Sequence, residues 1–227
     1  MKNPDEGHRG RLLERFEKNG VTGLHDYEIV ELLLSFVILR RDVKPIAKQL
    51  LGRYRTIGAA LNAPASELMK IDGIGKRAAQ LLAFFRDAAA YCLREKFENQ
   101  SVIAKRSDVE AYLRFQFGMK RDEYVAVLYL DTGNRCIGTE VVAEGTVNQC
   151  AVYPRSIVER GLSRGAAAMI LAHNHPGGAA AASKADWNIT SRLHAIGKQL
   201  DMPLLDHLII SGDTVVSLRD FPQWPGG

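Results

Sequence analysis

The sequence has few cysteines and no long apolar runs. Cys92, Cys136 and Cys150 are its three thiols, and none belongs to a CxxC pair. So sparse and odd a set gives no disulfide framework and fits a reducing compartment, with each thiol expected as a small buried hydrophobe. Ile29–Leu39 is broken by Glu31 and Ser35, and Ala166–Ala172 is shorter still. Neither approaches the roughly 20 apolar residues that span a bilayer. No apolar stretch follows the charges of Met1-Lys2-Asn3-Pro4-Asp5-Glu6, so a secretory leader is not expected. There is no internal repeat, and low complexity is confined to Ala179–Ala182. A soluble cytoplasmic protein with no membrane partner is the expectation.

What is present is ordinary globular composition: 227 residues, 46% hydrophobic and 25% charged, enough for one large domain or two modest ones. The net charge of +4 is uneven. Residues 1–100 hold 17 basic against 13 acidic side chains, while the remainder is balanced at 13 each. The excess is a weak pointer to an anionic partner for the first half, and equally fits a solvated surface.

Helical spacing runs through the first hundred residues. Leu12, Leu13 and Phe16 mark one helix. Asp26 is a plausible N-cap for the apolar set Ile29–Phe36. Val43–Tyr54 is amphipathic, Pro64 opens a short helix, and Lys76–Leu93 turns Leu81, Leu82, Phe85 and Cys92 inward. The charged segment Arg94–Arg106 has little periodicity and reads as a linker, with a boundary near residue 100. Ser107 starts another helix. The period then changes to that of strands at Tyr124–Leu130 and Cys136–Ala143, joined by Asp131-Thr-Gly-Asn134. Helices over Arg155–Leu162 and Ser183–Leu200, strands at Ala167–Ala172, Leu204–Ile210 and Thr214–Leu218, complete an α/β pattern. The fold expected is an all-helical N-terminal domain, 1–100, followed by a mixed-sheet α/β domain, 101–227.

Three ligand-type residues fall close together: His173, His175 and Asp186. Two positions apart in extended backbone, the imidazoles point to one side. Pro176-Gly177-Gly178 turns the chain, and Asp186 follows in the first turn of a helix capped by Ser183, where a carboxylate is favoured. Two nitrogens and one hard oxygen suit Zn2+, and three protein ligands leave a fourth position for water. A pair of histidines alone would be weak, since a histidine after a strand is usually just a satisfied polar residue.

The run His173-Asn-His175, seven residues, Ser183, two residues, Asp186 resembles the JAMM motif, H-x-H-x7-S-x2-D, of the MPN metalloproteases. The surrounding words are similar to the bacterial RadC-like family: Glu144-Gly-Thr-Val-Asn148, Tyr153-Pro-Arg155, Ile170–Pro176 and Asp206–Ile210. Together they span residues 107–218. The resemblance implies a JAMM/MPN fold and a zinc-dependent hydrolase cutting a peptide or isopeptide bond. It makes His173, His175 and Asp186 the metal ligands and Ser183 the partner of a developing oxyanion. It also implies a glutamate from an earlier strand as general base. Glu140 is the first choice and Glu144 the alternative; four residues apart in a strand, they share a face, so periodicity cannot separate them. Gly177 stands where RadC-like sequences usually carry Ser, and Ala179–Ala182 where they carry polar residues or Pro, so the loop is blander than the pattern. His207 reads as structural or as orienting a ligand; His8, His25 and His194 read as surface or capping residues.

In the first half, Leu68–Ala78 resembles a helix-hairpin-helix motif. Gly73 and Gly75 permit a tight turn. The helix N-terminus that follows, with Lys76 and Arg77, suits a DNA phosphate. Such a hairpin can equally be a protein scaffold. Two other functions stay open: a DNA-binding or DNA-processing protein in which the metal domain acts on nucleic acid or holds a partner, and a non-catalytic MPN scaffold.

Overall fold

The computed structural model describes residues 4–98, 101–102, 106–145 and 152–226. They gather into two compact units, Met1–Ala89 and Ala90–Gly227.

The first unit is helical: α1 (Pro4–Asn19), α2 (Asp26–Ser35), α3 (Lys44–Tyr54), α4 (Ile57–Asn62), α5 (Ala65–Leu68) and the start of α6 (Lys76–Glu98). His25, one residue before Asp26, caps α2, because Glu28 reaches back to accept its backbone N–H at 2.9 Å. Arg15 holds the same carboxylate at 2.7 and 3.0 Å. Burial works against the Glu28 charge, but Arg15 and the cap outweigh it and lower its pKa. Thr56 starts α4, which the apolar spacing did not reveal: its Oγ1 accepts from Ala59 N at 3.1 Å. Leu34, Leu50, Leu68 and Leu82 meet in the core, joined by Ile71 and Ile74 from the turn before α6.

Helix α6 continues through Arg94–Glu98, where a linker was expected. Arg, Glu and Lys are good helix formers and need no apolar stripe to extend a helix already begun. Its buried residues include Ala78, Leu82 and Ala90. Cys92 lies about 200° round the helix from Ala90 and is exposed, contrary to the sequence expectation, as is Phe85.

The second unit holds α7 (Arg106–Phe117), β1 (Glu123–Leu130), β2 (Cys136–Gly145), α8 (Pro154–Ser163), β3 (Ala168–Asn174), α9 (Lys184–Gln199), β4 (Leu204–Ser211) and β5 (Thr214–Ser217). The sheet order is β2-β1-β3-β4-β5, with β3 and β4 parallel and every other neighbour antiparallel. A parallel pair needs a crossover, and α9 supplies it. Helix α7 covers one face through Val109, Leu113 and Phe117. Helices α8 and α9 cover the other through Ile157, Val158 and Leu193. Buried on both faces, β3 has no polar residue until His173 and Asn174 at its end. The class is α/β, helical in the N-terminal part and a mixed five-stranded sheet with helices in the C-terminal part. Cys136 is buried. Cys150 and the stretch Thr146–Asn148 lie outside the described residues.

Candidate metal centre

The sheet register assembles the site. Across β1 and β3, Val125 pairs with His173. Two positions further out stand Glu123, which opens β1, and His175, one residue past the end of β3, on the same face. On β4, His207 pairs with Leu171, one layer in. Residues Asp186 and Thr190 come from α9, four apart and so one above the other.

His173 Nε2 and His175 Nε2 lie 2.7 Å apart. Asp186 reaches both, Oδ1 to His173 Nε2 at 3.2 Å and Oδ2 to His175 Nε2 at 3.5 Å. Bonds of about 2.0–2.1 Å to one tetrahedral ion would separate its ligand atoms by about 3.3 Å. Two of these spacings match that edge and the third is shorter. His175 Nδ1 faces Ala179 O at 3.3 Å, which can accept its hydrogen and leave Nε2 bare. The donor set therefore fits a cation.

Ser183 and Asp186 form a reciprocal cap. Asp186 N donates to Ser183 Oγ at 3.2 Å, and Ser183 N donates to Asp186 Oδ2 at 2.6 Å. This fixes the carboxylate and holds Ser183 beside it on the lining of the cleft. Burial opposes the Asp186 charge, but the hydrogen bond and charge of His173, with the cap, hold the carboxyl well below the usual carboxylate range. The cleft measures about 640 Å3 and is lined by Glu123, both histidines, Ser183, Asp186 and Arg192, among others.

Glu123 is the residue the sequence reading passed over. One of its carboxylate oxygens groups with the two histidines, their ligand atoms lying within 4.8 Å of one another. Glu140, expected as the base, is elsewhere. Its carboxylate is held by Arg160, and by Arg164 at 2.9 Å. The reason is strand order: β1 lies between β2 and β3, so β2 is two strand spacings, about 10 Å, from the histidines. Glu144 is taken by the Tyr124 hydroxyl at 2.6 Å. The missed signal was a carboxylate opening the inward-facing series Glu123, Val125, Val127, Tyr129 on the strand next to the histidines.

Asn174 secures that placement. Its Oδ1 accepts from Tyr124 N at 2.7 Å and its Nδ2 donates to Asp122 O at 3.0 Å, gripping the backbone on both sides of Glu123.

The sequence description RadC-like JAB domain matches residues 103–223. The chain belongs to this family. The RadC-like match contains α7, the whole sheet, α8, α9 and every residue of the cleft. Relatives extend further. UPF0758 protein FN0909 of Fusobacterium nucleatum subsp. nucleatum is 33% identical over 223 residues, 95% of this chain and 96% of that one. UPF0758 protein SPO0054 of Ruegeria pomeroyi is 36% identical over 212 residues, 93% and 95% of the two. Similarity to RadC-like relatives thus includes the helical unit, although the domain match does not.

In that unit the predicted hairpin is a tight turn into α6. Gly73 has φ +91°, and a Cβ there would come 2.5 Å from Ile46 Cδ1. Gly75, Lys76 and Arg77 are exposed at the start of α6. His8 lies beside Glu31, and His194 packs against Trp224. No described helix is long and apolar enough to cross a membrane.

Proposed function

We propose that this RadC-like chain is a zinc-dependent hydrolase of peptide or isopeptide bonds, with His173, His175 and Asp186 as ligands. The observation that carries this is the approach of two imidazole nitrogens and a carboxylate to within 3.5 Å of one another at the floor of an open cleft. When bound, the ion supplies a Lewis acid that polarises a carbonyl and acidifies water. Glu123 replaces Glu140 in the role of general base. It stands beside the histidines, takes the proton of the attacking water and returns it to the departing amine. Ser183 donates its hydroxyl hydrogen to the developing oxyanion. Asn174 holds the strand end that carries Glu123.

Metal analysis of the purified protein, beside a His173→Ala/His175→Ala variant, is the first test, followed by a cleavage screen on peptide, isopeptide and DNA substrates. About one zinc per chain, lost in the double variant, is expected, with cleavage of peptide or isopeptide bonds only. Hydrolysis that survives metal loss would end the proposal, and metal-dependent DNA cleavage would replace it with nucleic-acid chemistry.

The helical unit, as the first of two domains, is proposed to bind DNA backbone at the hairpin. The turn at Gly73 and Gly75 brings the start of α6 to the surface, and Lys76 and Arg77 add charge there. Affinity should fall steeply with salt, and Lys76→Ala/Arg77→Ala should weaken it at every sequence. Binding indifferent to both changes would remove the role.

A further inference from the structure

The geometry points to Thr190 and His207 as positioning residues that present His173 to the metal through Nε2. Thr190 Oγ1 lies 2.5 Å from Asp186 O and 2.6 Å from His207 Nδ1. His207 Nε2 lies 2.8 Å from His173 Nδ1. Three side chains from α9, β4 and β3 thus form one hydrogen-bonded chain ending at a ligand. His207 is fully buried and Thr190 equally so.

The chain has two conceivable directions, and one oxygen decides between them. A threonine hydroxyl has a single hydrogen, and a carbonyl oxygen can only accept. If Thr190 gave its hydrogen to His207, two oxygen lone pairs would face each other at 2.5 Å with no proton between Thr190 and Asp186. So the hydrogen goes to Asp186 O. Thr190 then accepts from His207 Nδ1–H, and a neutral His207 carries its lone pair on Nε2. That nitrogen accepts from His173 Nδ1–H, so Nε2 is the nitrogen His173 turns to Asp186 and His175, and any proton it shares with Asp186 in the metal-free protein is the one a bound ion would displace. In the opposite direction Nδ1 would be the acceptor, and a neutral His173 would have to keep its hydrogen on Nε2, where the ion must sit. Asp206, next to His207 in sequence, takes no part: its carboxylate accepts from the His207 backbone N–H and from Ser217.

This inference rests on the metal-ligand reading proposed above, and the test separates the two. Nitrogen-15 NMR of the histidine rings in metal-free protein reads the tautomer directly: His207 should carry its hydrogen on Nδ1. Zinc affinity is then measured by chelator competition for wild type, Thr190→Val, Thr190→Ser and His173→Ala. Thr190→Val should weaken zinc binding about tenfold or more, the range for a lost partner of a ligating histidine. Thr190→Ser, which keeps the hydroxyl, should restore it to near wild type; a merely structural loss would not follow the hydroxyl. An Nε2–H tautomer at His207, or equal affinity in the valine and wild-type proteins, overturns the positioning role while the metal reading stands. Zinc binding absent in wild type, or unaltered by His173→Ala, overturns both.

Discussion

Glu123 and Glu140 turn the same functional group toward the same face of the sheet, and position alone separates them. Glu123→Gln should lower turnover by about 10²–10⁴-fold, the span for loss of a general base, while zinc uptake, measured by chelator competition, persists. Glu140→Gln should leave turnover near wild type and cost about 1 kcal/mol at most, as expected for a partly exposed ion pair with Arg160 and Arg164. The reverse ranking in a cleavage assay would return the base to Glu140. Asn174→Ala strips hydrogen-bond partners from Tyr124 N–H and Asp122 C=O. The expected cost is about 1–3 kcal/mol by denaturant titration, with turnover falling further than zinc affinity. Equal loss of both would place Asn174 behind the histidines rather than behind Glu123.

At the scale of elements, β1 ties the sheet to α8 as well as to the site. The Tyr129 hydroxyl donates to Ile157 O at 3.0 Å. Burial, with the charge of Glu140, pushes its pKa from 10.0 up to about 12. A phenol whose folded pKa is raised contributes its full stability below the unfolded value and loses it as pH climbs through the folded one. The second unit should therefore lose on the order of 3 kcal/mol between about pH 10 and 12. Tyr129→Phe should be about 1 kcal/mol less stable at neutral pH and show a flatter alkaline limb. Parallel limbs would disprove this source. In the helical unit, Gly73→Ala forces a side chain into a left-handed φ and against Ile46. It should destabilise by about 1–3 kcal/mol, seen as a lower first thermal transition; an unchanged one would mean the turn relaxes freely.

The whole molecule has two units with separate cores, so heating should not be a single two-state event. Calorimetry should resolve two transitions. Zinc at about a hundred times its dissociation constant adds about 2.7 kcal/mol to the unit that binds it, a rise of roughly 5–10 °C. Only the transition of Ala90–Gly227 should move, and a chelator should reverse it. A shift in both, or in neither, would contradict a centre built wholly within the sheet unit.

Local order carried most of the architecture. The unbroken run of β-branched, aromatic and other apolar residues Tyr124–Leu130 identifies β1, and turn residues set its hairpin with β2. The spacing of His173, His175, Ser183 and Asp186 is itself a local geometry: a strand end, a turn and a capped helix, whose reach covers fourteen residues. What depended on the tertiary structure is whatever crosses the sheet. Glu123 lies fifty residues before His173, and only the order β2-β1-β3 makes it the neighbouring carboxylate while placing Glu140 one strand further out. His207 meets His173, and Thr190 meets His207, because β4 pairs in parallel with β3 and α9 lies over them. Alternation along a strand determines which face a side chain takes. Which strand lies alongside is settled by long-range hydrogen bonding and packing, which no window of sequence contains.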